Sequence, residues 1–231
     1  MFKINMAQLN IMIDNKYGYL KTFCTDYITD STETDFTVSV TDAEIMAEDD
    51  GSGYDVGYLE SLAVYRKIAE KMLSFDGFLM HGVAIDVESK GIIFTAKSGV
   101  GKTTHTRLWQ KHLGDKMIVV NGDKPLIRIK DGKAYAYGTP WAGKEGMHKN
   151  TRVRVSKICF LERSETNECY PVEKKEVFEK LFSQVYIPTG AQKYLKTLDL
   201  VSALINAVDF YKIKCNMDLS AAKTAYEVMD L

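Results

Sequence analysis

At 231 residues, with 45% hydrophobic and 26% charged residues, the chain has enough apolar material for one packed domain, or for one domain with a small N-terminal extension. A formal net charge of −1 gives no reason to expect nucleic acid or an acidic membrane as partner, and Cys24, Cys159, Cys169 and Cys215 form no CxxC pair that would point to zinc or a disulfide framework. The start Met1-Phe2-Lys3-Ile4-Asn5 lacks the basic opening and apolar run of a signal peptide, and no stretch approaches the length of a membrane span, so the cytoplasm is the expected location.

In chain order, Phe2 to Met6, Leu9 to Ile13 and Phe36 to Val40 alternate as short strands, and Glu44 to Asp55 is acidic and glycine-containing, as in an exposed loop. Residues 1–56 are therefore expected to be a small, mostly β region. The run Glu48-Asp49-Asp50 suits a solvated loop better than a metal site. Leu59, Leu62, Tyr65, Ala69, Met72 and Leu73 then recur at helical spacing, which predicts an amphipathic helix over 57–74 whose stripe packs in the core. Phe78 to Asp86 reads as one buried strand and forms a hairpin with Gly91 to Thr95 through the turn Glu88-Ser89-Lys90. By itself, His81 in such a strand is more often a core residue than a catalytic one.

Ala96-Lys97-Ser98-Gly99-Val100-Gly101-Lys102-Thr103 follows. It has the form of a Walker A phosphate loop with alanine for the first glycine, set between an apolar strand and a helix predicted over Thr103 to Leu113. Gly99 and Gly101 permit a backbone whose N–H groups point inward at phosphate oxygens, and the helix presents its positive end to the same anion. Lys102 suits the β and γ phosphates, and the Thr103 hydroxyl suits Mg²⁺.

Met117 to Val120 is a β-branched strand running into Asn121-Gly122-Asp123. A carboxylate just past such a strand, downstream of a phosphate loop, is where a second metal-binding group belongs, so Asp123 is the leading acid. Leu126 to Ile129 and Ala134 to Tyr137 flank a hairpin turn. The glycine-rich loop Gly138 to Gly146 carries Trp141 and Lys144 and is either a cover for a substrate or a plain surface loop. A strand over Arg152 to Leu161, helices over Lys174 to Phe182, Leu195 to Val208 and Ser220 to Met229, and a late strand at Tyr211 to Cys215 complete the chain.

Met80-His81-Gly82-Val83-Ala84-Ile85-Asp86-Val87, then Ser98-Gly99-Val100-Gly101-Lys102-Thr103-Thr104, then Gly122-Asp123 after a strand, resemble in order and spacing the C-terminal domain of HPr kinase/phosphorylase. The Ser-Gly-x-Gly-Lys-Thr-Thr form also looks like phosphoenolpyruvate carboxykinase, which shares that nucleotide-binding core. Compact bacterial HPr-kinase-like proteins with Thr104 to Trp109, Asn121 to Leu126 and Gly138 to Gly146 in this form are the most similar, and the likeness runs from about residue 57 to the C-terminus.

The resemblance implies an α/β fold: a mixed β-sheet P-loop core of the HPr kinase/phosphoenolpyruvate carboxykinase type over 57–231, with the small N-terminal β region, 1–56, packed on it. It implies nucleotide binding by Ser98, Gly99, Val100, Gly101, Lys102, Thr103 and Thr104, divalent metal held by Thr103 and Asp123, and catalysis by Asp123, His81 and Lys102. ATP and Mg²⁺ are the implied cofactors, and a homo-oligomer is one expected state. The implied reaction is transfer of the γ-phosphoryl group to a hydroxyl on a protein, a peptide or a small molecule, with Lys144, Arg152 and Arg154 as candidate cations near the acceptor.

HPr kinase has two consecutive acids after the strand, the first proposed as the base; here that position is Gly122. Three outcomes stay open: Asp123 does both jobs, His81 or another group is the base, or the protein is a nucleotide-binding regulator with little turnover. A module with a vestigial loop is disfavoured by the intact Gly101-Lys102-Thr103.

Overall fold

The computed structural model describes residues 1–231. In chain order its strands are β1 (Phe2–Met6), β2 (Leu9–Asp14), β3 (Phe36–Ser39), β4 (Gly77–Leu79), β5 (Val83–Val87), β6 (Lys90–Thr95), β7 (Met117–Asn121), β8 (Leu126–Lys130), β9 (Lys133–Tyr137), β10 (Arg152–Arg163), β11 (Glu168–Pro171) and β12 (Asp209–Cys215). The α-helices are α1 (Gly18–Phe23), α2 (Asp42–Met46), α3 (Val56–Met72), α4 (Lys102–Leu113), α5 (Phe178–Phe182), α6 (Ala191–Ala207) and α7 (Leu219–Val228). No helix is long and apolar enough to cross a membrane.

The fold is mixed α/β. A small sheet, ordered β1-β2-β3, stands beside a large mixed sheet in which β4-β8-β9-β10-β6-β5-β7 form one path and β12 and β11 continue from β10. The strand β10 holds the large sheet together. Its first residues pair antiparallel with β9, and after a register shift between Val155 and Lys157 the rest runs parallel to β6 on one side and β12 on the other. A strand that changes partner at a bulge bends, and here it lets one sheet curl round two separate apolar clusters.

Local chemistry accounts for the main elements. The β1–β2, β5–β6 and β8–β9 hairpins each turn on two residues in the left-handed region, Ala7-Gln8, Glu88-Ser89 and Asp131-Gly132, the backbone that matches strand twist in tight hairpins. The helix α3 starts where the Asp55 carboxylate accepts the Gly57 N–H at 2.8 Å, and Leu59, Val64, Ile68 and Met72 of its inner face are buried.

Four expectations change. Residues 42–46 are helical rather than loop, because Thr41 and Glu44 form a reciprocal capping box. The segment from Phe78 to Asp86 is two strands in different places: β4 pairs with β8 and β5 with β6 and β7, and the chain shifts sideways through Met80-His81-Gly82. Its uniform hydrophobicity reflects burial of both strands and carries no sign of the break. The predicted helix over 174–182 is a 3-10 turn followed by the short α5, and the helix expected from 195 starts at Ala191, just after Gly190. Neither α1 nor β11 was foreseen, since each is too short to show a period.

The N-terminal sheet shares its core with the rest of the chain. Ile4, Ile11 and Ile13 lie in one apolar cluster with Val64 and Ile68 of α3 and with Leu126, Tyr137 and Trp141. At the β1–β2 turn the Ala7 carbonyl accepts from the Arg128 guanidinium at 2.7 Å. The Gln8 side-chain oxygen accepts from Lys130, Tyr137 and Arg152 at 2.8, 2.9 and 2.9 Å.

Candidate active site at the carboxyl end of the sheet

Strand direction brings the chemistry together. The strands β6, β10 and β12 are mutually parallel, so Ala96 to Gly101, Arg163-Ser164 and Cys215 to Met217 all leave the sheet at the same end. The strand β5 is antiparallel to β6, which puts the residues before it, His81 and Gly82, at that end too. The strand β7 is antiparallel to β5, which adds Asn121 to Lys124. Residues far apart in sequence thus share one edge, the position where open α/β sheets take their ligands.

The phosphate-loop sequence forms a strand-loop-helix turn from β6 into α4. Gly99 (φ 80°) and Gly101 (φ 120°) both have positive φ, the backbone that made glycine necessary there. No side chain caps α4 and no acid occupies its first turn, so its first N–H groups have no side-chain partner and its positive end is not neutralised by an acid of its own turn. Lys102 folds back so that its ammonium donates to the Ala96 carbonyl at 3.0 Å, and burial lowers its pKa against the opposing pull of Asp123. Arg163, which the sequence reading passed over, donates to the Val100 carbonyl at 3.0 Å and also to that of Gly99. Only the parallel pairing of β6 and β10 reveals it, because nothing in the local sequence marks that arginine.

Two cavities flank the glycine-bearing part of the loop, and a smaller one of about 170 Å³ borders Ala96 and Lys97. One of the flanking pair, of about 380 Å³, is lined by Val100, Gly101, Thr104, Arg163 and the Cys215 to Met217 turn. The other, of about 630 Å³, holds Ser98 and Thr103 together with Gly122, Asp123, Lys124 and Lys144. The expected nucleotide-binding residues therefore border both spaces, with Thr103 and Asp123 in the same one.

Asp123 is fixed by its backbone and tuned by its neighbours. The Asn121 side-chain oxygen accepts the N–H groups of Asp123 and Lys124 at 2.9 and 2.7 Å, Asn121 in turn donates to Thr139, and the Asp123 carbonyl accepts the Gly82 N–H at 2.8 Å. Burial alone would raise the Asp123 carboxyl; the His81 hydrogen bond and the charges of Lys124, His81 and Lys102 outweigh it and hold the group below its ordinary value, ionised at neutral pH. His81 Nε2 lies 3.5 Å from this carboxylate, and Nδ1 lies 3.2 Å from the side-chain oxygen of Gln184, so each ring nitrogen faces an acceptor. Gln184 also accepts the His81 N–H through its carbonyl at 2.7 Å. It is a second residue with no sequence signal, brought in by the segment after α5.

The remaining expectations separate clearly. Lys144 lines the larger cavity, while the adjacent Glu145 pairs with Arg107 of α4 and ties the Gly138 to Gly146 loop to the phosphate helix. That loop is held at its other end by Trp141, which stacks on Tyr65 at 4.1 Å and donates to the Ser61 carbonyl at 3.1 Å. Arg152 and Arg154 are not brought to the site. They lie at the start of β10, level with the beginning of β6 and at the opposite end of the sheet from the loop, and Arg152 is engaged with Gln8 and Tyr135. Glu48 pairs with Arg66, and Asp49 and Asp50 accept turn N–H groups, so the acidic run forms turns, with no cluster of metal-binding side chains there.

Gly122 packs tightly. A Cβ there would stand 3.0 Å from the Ala142 carbonyl oxygen and 3.2 Å from that of Met147, so a side chain at 122 requires the neighbouring loop to give by a few tenths of an ångström.

No family model matches the chain, and no curated protein matches it. Among solved structures it is similar to the HPr(Ser) kinase/phosphatase from Coxiella burnetii, at 11% identity over 66% of this chain and 93% of that one, with a TM-score of 0.36, a distant likeness at the level of the fold.

Proposed function

We propose that the chain is an ATP-dependent phosphotransferase that moves the γ-phosphoryl group to a hydroxyl acceptor. One observation carries this reading: the phosphate-loop sequence, folded as strand, loop and helix, shares a single cleft with an ionised carboxylate, Asp123, and has a second cavity on its other side. A nucleotide whose phosphates lie in the loop has room for its nucleoside in the cavity beside Arg163, and its terminal phosphate faces the cleft of Asp123.

The donor set fits Mg²⁺. That ion takes few protein ligands and completes its shell with phosphate oxygens and water, and the cleft offers the Thr103 hydroxyl and the Asp123 carboxylate. When bound it neutralises phosphate charge. The chain's own residues do the rest. Lys102 places a positive charge at the loop, the N–H groups at the start of α4 donate to the anion, and Lys144 adds a cation to the cleft lining. The acceptor oxygen bonds to the γ phosphorus, the bond to the bridging oxygen breaks with its electron pair leaving on ADP, and Asp123 takes the hydroxyl proton, with His81 orienting that carboxylate.

A second reading rests on Gly122. With glycine at the position of a first acid and Glu145 engaged by Arg107, Asp123 is the one cleft carboxylate left for the chemistry, as would suit a nucleotide-binding regulator with little turnover. Incubation with γ-labelled ATP, Mg²⁺ and a pool of hydroxy compounds and proteins separates the two. Label on one acceptor, lost in Lys102→Ala and Asp123→Asn, supports the transferase; ATP binding abolished by Lys102→Ala with no label transferred supports the regulator.

A further inference from the structure

Five aromatic rings line the larger cavity, Tyr19, Phe23 and Tyr54 from the N-terminal region with Tyr58 of α3 and Trp141. Ring follows ring from the rim inward: Tyr54 to Tyr58 at 4.8 Å, Tyr58 to Tyr19 at 6.2 Å, Tyr19 to Phe23 at 5.6 Å and Phe23 to Trp141 at 5.6 Å. Tyr54 and Tyr19 are 46% and 41% exposed, Tyr58 between them and Phe23 after them are half-buried, and Trp141 at the inner end is 4% exposed. A row of rings with exposed members is poor core packing and good ligand surface, because aromatic faces left wet gain free energy when an apolar group covers them. The row is built by close approach of α1 to α3: a Cβ on Gly57 would stand 2.7 Å from that of Tyr19, so only glycine lets Tyr19 sit there.

The polar groups sharing this space narrow the ligand. Asp123 and Thr103 line the same cavity as the rings, Glu145 is paired with Arg107, and Lys144 and Lys124 are the cations lining the cavity. A ligand seated on the rings therefore presents its polar end to Asp123 and its apolar flank to the tyrosines.

We infer that this aromatic wall is the acceptor site, and that it selects a hydroxyl compound carrying an apolar flank of ring size beside the hydroxyl, as a free alcohol or as a hydroxylated residue in a peptide. The selection assigns residues 1–56 a direct part in substrate recognition. The chemistry of transfer rests on the phosphotransferase reading; the binding does not.

The test uses the full chain labelled with 5-fluorotryptophan, whose two resonances report Trp109 and Trp141, the latter assigned with Trp141→Phe. It is titrated with 2-phenylethanol, with N-acetylseryl-phenylalanine amide and with glycerol. A saturable shift of the Trp141 resonance is expected with one or both ring-bearing probes, at least about tenfold tighter than any with glycerol and weakened about tenfold by Tyr19→Ala or Tyr54→Ala, while ATP binding by those variants is kept. Which ring-bearing probe binds separates the free alcohol from the peptide. Absence of a saturable shift with both, equal affinity for glycerol, or unchanged affinity in both tyrosine variants overturns the inference. Label that never leaves ATP, in a protein whose Trp141 still responds to a ring-bearing probe, overturns the phosphotransferase reading and leaves the acceptor site standing.

Discussion

Gly122 and His105 show how much a single position decides. Since a Cβ at 122 meets two carbonyl oxygens at 3.0 and 3.2 Å, Gly122→Asp brings a carboxylate up to acceptors and forces the 142–147 loop to shift. The variant is expected to lose about 1–3 kcal/mol of stability and to gain no transfer activity; urea unfolding beside the labelled-ATP assay checks both. His105 is buried on the inner face of α4, where its Nε2 accepts the Trp109 indole N–H at 2.9 Å and burial pushes its pKa down to about 4. Between pH 6.5 and 4 the unfolded chain binds a proton at this residue that the folded chain does not, so stability falls as pH is lowered through that window, by about 3 kcal/mol by pH 4 from this group alone. Unfolding free energies at pH 7 and pH 5 should differ more in the native protein than in His105→Gln, and equal slopes would remove His105 as the cause.

At the scale of elements, the loop between β6 and α4 depends on β10. Arg163 reaches the loop from the end of that strand and ties down two carbonyls, so Arg163→Ala is expected to weaken ATP binding about tenfold by loosening the loop, with Arg163→Lys recovering only part because lysine lacks the fork. Titration calorimetry with a non-hydrolysable ATP analogue measures it, and unchanged affinity would show that the loop holds its shape without the arginine. The break between β4 and β5 belongs to this scale too. It frees His81 from the ladder and turns it toward Asp123 and Gln184, so one step in the chain makes what reads as a core histidine a partner of the cleft carboxylate.

For the whole molecule, the N-terminal sheet and the large sheet are expected to unfold together. Their shared apolar cluster and the clamp at Ala7-Gln8 leave no seam at which the two could separate cheaply. Fluorescence from Trp141 in the shared cluster and from Trp109 in the cluster under α4, read in Trp109→Phe and Trp141→Phe proteins, should give coincident urea transitions. Arg128→Ala removes the buried guanidinium bonded to the Ala7 and Phe75 carbonyls and should cost about 2–4 kcal/mol; transitions that separate in that variant would mark the N-terminal sheet as its own cooperative unit.

The sequence by itself determined the pieces whose signals are local: the β-branched strands, the long amphipathic helix, the hairpins, and the phosphate-loop spacing whose glycines take the positive φ it demands. It also offered Asp123 as a candidate, because an acid at the end of a buried strand is visible in a few consecutive residues. What only the tertiary structure decided is everything that depends on which strand lies beside which. Parallel pairing brings Arg163 to the loop and leaves Arg152 and Arg154 at the far end of the same strand, the break after β4 exposes His81, and the packing of α1 on α3 lines the cleft with aromatic rings from a region that read as a mere attachment. Periodicity records which face of an element is buried, whereas the neighbours that share a cleft are set by sheet order, and sheet order arises from contacts far apart in the chain.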